Sequence, residues 1–182
     1  MEDMVCVDTE TGGFSATKNG LCSVTMKVVG KDIIENIFIK PNPNLSYNSQ
    51  AMNINHLSLD ILNEKGISEE DAITTITEFL NDNFDSPPII LGHNISFDIR
   101  FLDALFERDG KVFTTLYNGT KDTMKAMKQL RAEGKIEIEN VKLNTCYNHF
   151  FDSDIENAHT AEGDVIATEK IFHKIEEILD EI

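Results

Sequence analysis

Residues 5–13 read VCVDTETGG, an apolar run that carries two carboxylates, Asp8 and Glu10, where a strand entering a core has no packing use for them. Side chains alternate along a strand, so Val5 and Val7 share one face while Cys6, Asp8 and Glu10 share the other. Two later segments repeat the oddity. In ISFDIRFLDALFER (95–108) a helical period sets Asp98 on the apolar stripe of Phe101, Leu102 and Leu105. In the closing segment, 161–181, Asp164 heads a stripe of Ala167, Thr168, Ile171, Ile175, Ile178 and Ile182. A fold that obeys these patterns turns four acids inward.

Buried carboxylates without partners are costly or take up protons, so a cluster of them calls for positive charge among them. The neighbouring sequence offers little, with Arg100 and Lys170 the basic residues within a turn or two. A divalent cation is the better candidate, and oxygen donors without cysteine fit a hard ion, Mg²⁺ or Mn²⁺. Cys6, Cys22 and Cys146 are odd in number and scattered, which argues against a disulfide framework or a cysteine zinc site.

The rest of the chain reads as a mixed α/β protein. Residues 2–9, 22–29 and 32–39 are expected as strands of an antiparallel meander, with a tight turn at Gly30-Lys31. A polar, Asn-rich loop follows over 41–55, then a short helix over 58–64 and a longer one capped by Ser68 and ending near Asn83. IILGHN (89–94) is a short buried strand leading into the Asp98 helix, and residues 120–133, 141–151 and 161–181 read as three further helices. At 182 residues, without a repeat or internal linker, residues 1–182 are expected to form one domain. The start of the chain lacks the pattern of a signal peptide and no apolar run is membrane-spanning in length, so a cytoplasmic protein is expected.

The order of motifs resembles the DEDD 3′→5′ exonucleases of the histidine subclass, which include the epsilon proofreading subunit of bacterial DNA polymerase III. VDTETGG is similar to their first motif, GHNISFD to the second and HTAEGD to the third, and QAMNINHLS (50–58) resembles the stretch between the first two in epsilon-like and exodeoxyribonuclease X-like enzymes. The resemblance covers nearly the whole chain. It implies a ribonuclease H-like fold, in which a mixed central sheet of antiparallel meander and parallel strands is flanked by helices. It also implies two-metal phosphodiester hydrolysis at single-stranded DNA 3′ ends, with release of nucleoside 5′-monophosphates. Asp8, Glu10, Asp98 and Asp164 would then be the metal-binding carboxylates and His159 the general base. A histidine titrating near neutrality suits that role. The five-residue step from His159 to Asp164 would set them about 140° apart on one continuous helix, so His159 is expected in the loop before it. Thr11, Gly12, Gly13, Phe14, His56 and Asn94 are the expected substrate contacts, Phe14 as an apolar wedge against the terminal bases. Asn94 is also a candidate helix cap. No polymerase-binding tail is evident after the closing helix, and neither partner proteins nor oligomeric state can be read.

Thirty-two acids against sixteen bases give a formal charge of −16, which opposes tight binding of a long duplex through its phosphates. Two divalent ions would return four positive charges at the scissile phosphate. The balance favours an enzyme that holds a few nucleotides of a single strand. In TKDTMKAMKQLRAEGK, Lys121, Lys125, Lys128 and Lys135 are expected along one helical face, as a phosphate track or a solvated surface. Two rival readings remain: an exoribonuclease, oligoribonuclease-like, acting on short RNA, and a catalytically silent acidic module.

Overall fold

The computed structural model describes residues 2–156 and 160–180. Five strands form one sheet in the order β3-β2-β1-β4-β5, where β1 is Met4–Thr11, β2 Leu21–Val28, β3 Ile34–Phe38, β4 Ile89–Gly92 and β5 Thr120–Asp122. The first three strands pair antiparallel, with the β2–β3 turn made at Gly30 in the left-handed region (φ 77°). On the other edge of β1, β4 and then β5 run parallel to it.

Alternation divides the two faces of the sheet. Val5, Val7, Val24, Met26, Val28 and Ile90 form a core with α3 (Glu69–Asn83) and α4 (Ser96–Arg108), whose buried stripes are Ala72-Ile73-Ile76 and Phe101-Leu102-Leu105. The opposite face carries Met4, Cys6 and Leu91, which pack against Val165 and Phe172 of α7 (Ala161–Asp180). The polar run Ser23, Thr25 and Lys27 of β2, aligned with Glu10, Asp8 and Cys6, lies on this α7 face. Lys27 there makes a nearly buried ion pair with Glu169, whose Oε1 also accepts the Gly30 N–H. That contact ties α7 to the hairpin across the sheet. Helices α5 (Thr123–Ala132) and α6 (Leu143–Phe151) close a second core with α7 around Met127, Leu130, Cys146, Ile171 and Ile175.

Three expectations are corrected. The Asn-rich stretch 41–55 is not loop throughout, because the Asn48 side chain accepts the Gln50 and Ala51 N–H groups and starts α1 (Ser49–Ile54); α2 follows at Leu59–Lys65. Residues 120–133 are not one helix. The free edge of β4 recruits Thr120–Asp122 as a fifth strand, and Asp122 then caps α5 by accepting the Lys125 N–H. The lysine stripe is therefore broken. Lys121 stands on β5, paired with Glu2 and over the Phe172 ring, and Lys135 lies beyond the helix and pairs with Glu133, leaving Lys125 and Lys128 exposed on α5. All three cysteines are buried and free. Among the described residues no helix is long and apolar enough to cross a membrane.

Candidate active site

The acids meet at the C-terminal end of β1. Asp8 and Glu10 project from its α7 face, and α7 brings its first-turn Asp164 over them, so that one carboxylate oxygen from each of the three lies within 4.8 Å of the others. A register shift between Glu10 and Thr11 against β2 ends the regular ladder at this point. Asp98 arrives from the opposite side of the sheet. Strand β4 pairs with β1 only over Met4–Cys6, so the edge of β1 beyond it needs other partners. The first turn of α4 supplies one: Asp98 Oδ1 accepts the Thr9 N–H at 3.0 Å and the Thr9 hydroxyl at 2.7 Å. Asp98 is 4 % exposed and stands beside the three-carboxylate group rather than inside the same 4.8 Å set.

Burial and mutual repulsion favour the protonated forms of Asp8, Glu10 and Asp98. Burial, followed by the charges of Asp98, Glu10 and Asp164, raises Asp8 well above the carboxylate range. Burial and the charges of Asp164 and Asp98 push Glu10 up to about 8. Burial lifts Asp98 to about 7 against the two Thr9 hydrogen bonds, with Asp122 adding repulsion. Among the described residues no lysine or arginine pairs with Asp8 or Glu10. Crowded oxygens of Asp8 and Glu10, with no lysine or arginine partner among the described residues, fit a hard divalent cation, and the oxygen-only donor set suits Mg²⁺ or Mn²⁺ better than a soft metal.

The other sequence-derived candidates distribute around this centre. His56, in the left-handed region (φ 54°), lines a pocket of about 390 Å³ together with Glu10, Ser23, Asn36, Lys65 and Thr160. Phe14 is 89 % exposed and shares a neighbouring groove of about 400 Å³ with Asn48, Gln50, Ala51 and Ile54. Thr11 and Gly12 are buried and engaged internally. The Thr11 hydroxyl donates to the Gly13 carbonyl at 2.7 Å, and the Gly12 N–H donates to the Gly20 carbonyl at 2.8 Å. A Cβ on Gly12 would come within about 3 Å of Tyr47 and the Ser46 carbonyl, so close packing of the 46–47 segment requires glycine there. Asn94 makes no side-chain cap on α4. It adopts φ 68°, and its N–H donates to Asp122 Oδ1 at 3.1 Å. His159 lies outside the described residues.

Sequence reasoning overlooked Thr9 and Asn55. Thr9 sits between the two motif acids on the opposite face of β1, and a buried hydroxyl at the end of a strand was the available signal. Asn55 Nδ2 donates to the Thr11 carbonyl at 3.1 Å, joining α1 to the end of β1.

The family model for the exonuclease (RNase T) family matches residues 5–172. The chain belongs to the exonuclease family. Among relatives, the PolC-type DNA polymerase III of Lacticaseibacillus paracasei is 27 % identical over 175 residues, covering 96 % of this chain and 11 % of that protein. The corresponding polymerase of Staphylococcus aureus is 28 % identical over 180 residues, covering 98 % of this chain and 12 % of the polymerase. The chain thus spans about a tenth of the length of these relatives. Among solved structures, E. coli exonuclease I in complex with a dT13 oligonucleotide superposes with a TM-score of 0.79 at 20 % identity, covering 96 % of this chain and 41 % of that one. A second structure of exonuclease I gives a TM-score of 0.81 at 20 % identity, covering all of this chain and 43 % of that one. The exonuclease fold here is the ribonuclease H-like one, a mixed five-stranded sheet flanked by helices.

Proposed function

We propose that residues 1–182 form a single exonuclease domain that hydrolyses phosphodiester bonds from the 3′ end of single-stranded DNA and releases nucleoside 5′-monophosphates. The observation that carries this reading is the convergence of Asp8, Glu10 and Asp164 within 4.8 Å at the end of β1, in an exonuclease-family chain. Asp8, Glu10, Asp98 and Asp164 would hold two divalent cations, Mg²⁺ or Mn²⁺, which when bound acidify the attacking water and offset charge on the phosphate and the departing 3′-oxygen. The protein's own contribution is positional. Thr9 fixes one oxygen of Asp98, Oδ1, against the edge of β1. His159 is assigned the proton of the attacking water, the step for which a group titrating near neutrality is suited. As the water oxygen bonds to phosphorus, the bond to the 3′-oxygen breaks and that oxygen takes up a proton.

The pocket beside Glu10 and His56 is assigned to the terminal nucleotide, and the groove at Phe14 and Ile54 to the bases next to it, where an exposed aromatic ring offers a stacking surface. Support for a single-stranded substrate comes from exonuclease I, whose complex with dT13 shares this fold, and support for DNA comes from the polymerases among the relatives.

The test uses equal-length single-stranded DNA and RNA, labelled at either end, with Mg²⁺, with Mn²⁺ and with chelator. The reading expects 3′-labelled DNA to lose its label first as mononucleotide, in a metal-dependent way. Preferential attack on RNA would make the domain an exoribonuclease. Absence of hydrolysis under all conditions would leave an acidic binding module and refute the proposal.

A further inference from the structure

Asp122 is a buried carboxylate that the proposed reaction does not use. It ends β5 opposite Gly92, the last residue of β4, and its side chain is 5 % exposed. Oδ1 accepts two backbone N–H groups, from Asn94 at 3.1 Å and Lys125 at 3.2 Å. Among the described residues Oδ2 is buried without a hydrogen-bond partner, and Lys125 Nζ lies 3.8 Å from it on a side chain that is 67 % exposed. Both bonds made by Oδ1 are ones that an asparagine or serine would also accept. A buried charge with an idle oxygen is costly where a neutral cap would serve, so the charge calls for a role beyond capping.

The sheet supplies one. Gly92 follows Leu91, which pairs with Cys6, so Asp122 stands level with the residue before Asp8, two strands away, or about 10 Å. The chain runs from Gly92 through Asn94, whose N–H Asp122 holds, into the first turn of α4 and Asp98. Asp122 and Asp98 are thereby joined through one short turn. A fixed negative charge near a cation site attracts a dication twice as strongly as a monocation.

We propose that Asp122 is a positioning residue of the metal site, which tightens divalent-cation binding by its buried charge without coordinating, while fixing the turn at Asn94. This rests on the reading of Asp8, Glu10, Asp98 and Asp164 as the cation-binding group. With the strand spacing of about 10 Å taken as the separation and an effective dielectric constant of about 40 to 80, removing one charge would weaken binding of a dication by roughly 4- to 15-fold.

The experiment is Mn²⁺ titration by calorimetry, with thermal melts in chelator, on wild type, Asp122→Asn, Asp122→Ser and, as a neutralisation of an exposed acid between α5 and α6, Glu137→Gln. Asp122→Asn is expected to melt at or above the wild-type temperature in chelator and to bind Mn²⁺ roughly 4- to 15-fold more weakly, while Glu137→Gln binds it as wild type does. Asp122→Ser, which keeps a neutral cap, carries the same expectation for affinity should the asparagine variant not fold. Wild-type Mn²⁺ affinity in the Asp122 variants overturns this inference alone. So does an equal loss of affinity in Glu137→Gln, which would reduce the effect to net charge. A wild-type protein that takes up no Mn²⁺ overturns both this inference and the function reading.

Discussion

Replacing Asp8 by asparagine should stabilise the metal-free protein. Asp8 feels the charges of Asp98, Glu10 and Asp164, and Glu10 and Asp164 each bring an oxygen within 4.8 Å of its own. At an effective dielectric constant of 20, each such pair of ionised groups would cost about 3 kcal/mol. The protein escapes part of that by keeping a proton, and the cost of doing so sets the ceiling. Holding an ordinary carboxyl proton at pH 8 costs about 5 kcal/mol, and at pH 5 about 1.5 kcal/mol, at 1.36 kcal/mol per pH unit. The sign follows from the raised pKa values. Glu10 at about 8 and Asp98 at about 7 bind protons in the folded state that the unfolded chain has released above about pH 4.5. The stability of metal-free wild type is therefore highest below that range and declines as pH rises toward 8. Asp8→Asn removes one of the responsible charges, so in chelator it should gain about 2–5 kcal/mol at pH 8 and about 1 kcal/mol at pH 5. Urea unfolding at both pH values measures this directly, and added Mn²⁺ should reverse the order because it stabilises the wild type more. A variant that is less stable than wild type in chelator, or whose gain is the same at both pH values, would show that the carboxylates do not repel as argued.

Further consequences concern the neighbours of the cluster. Thr9→Val keeps the shape of the side chain but removes the 2.7 Å donor to Asp98, and should cost about 1.5–3 kcal/mol in urea unfolding, the range for a hydrogen bond to a charged group; an unchanged midpoint would count against that bond. His159→Ala should lower the hydrolysis rate by about 10²- to 10⁴-fold with Mn²⁺ affinity unaltered. If excess metal restores its rate, His159 is a ligand instead. Lys125→Glu with Lys128→Glu should raise apparent KM for single-stranded DNA and flatten its dependence on log salt by about one to two units, and a wild-type salt slope would show that these lysines never meet the strand.

Much of this arrangement is legible in the sequence because acids on core-facing positions are rare enough to carry information. Alternation places Asp8 and Glu10 on one face of β1 and helical period places Asp98 on the buried stripe of α4, and both placements match the fold. The cap at Ser68 likewise marked the start of α3, where its hydroxyl accepts the Asp71 N–H. What escaped were features decided by tertiary pairing. A three-residue strand such as β5 has too little sequence to show a period, and exists because β4 offers a free edge. The Thr9–Asp98 contact joins residues 89 apart around the end of a short strand, and neither local pattern contains it. The left-handed turn at Asn94 is set by a carboxylate from β5, so cap statistics for Asn94 itself pointed the wrong way.

The proposed function requires that the four carboxylates gathered by β1, α4 and α7 hold divalent cations. Anomalous diffraction from crystals grown with Mn²⁺ and a nucleoside 5′-monophosphate addresses it without reference to any rate. The expected result is two Mn²⁺ peaks about 4 Å apart, ligated by oxygens of Asp8, Glu10, Asp98 and Asp164 with the phosphate between them. A map with no Mn²⁺ among these four carboxylates, under conditions in which the nucleotide is bound, would contradict it.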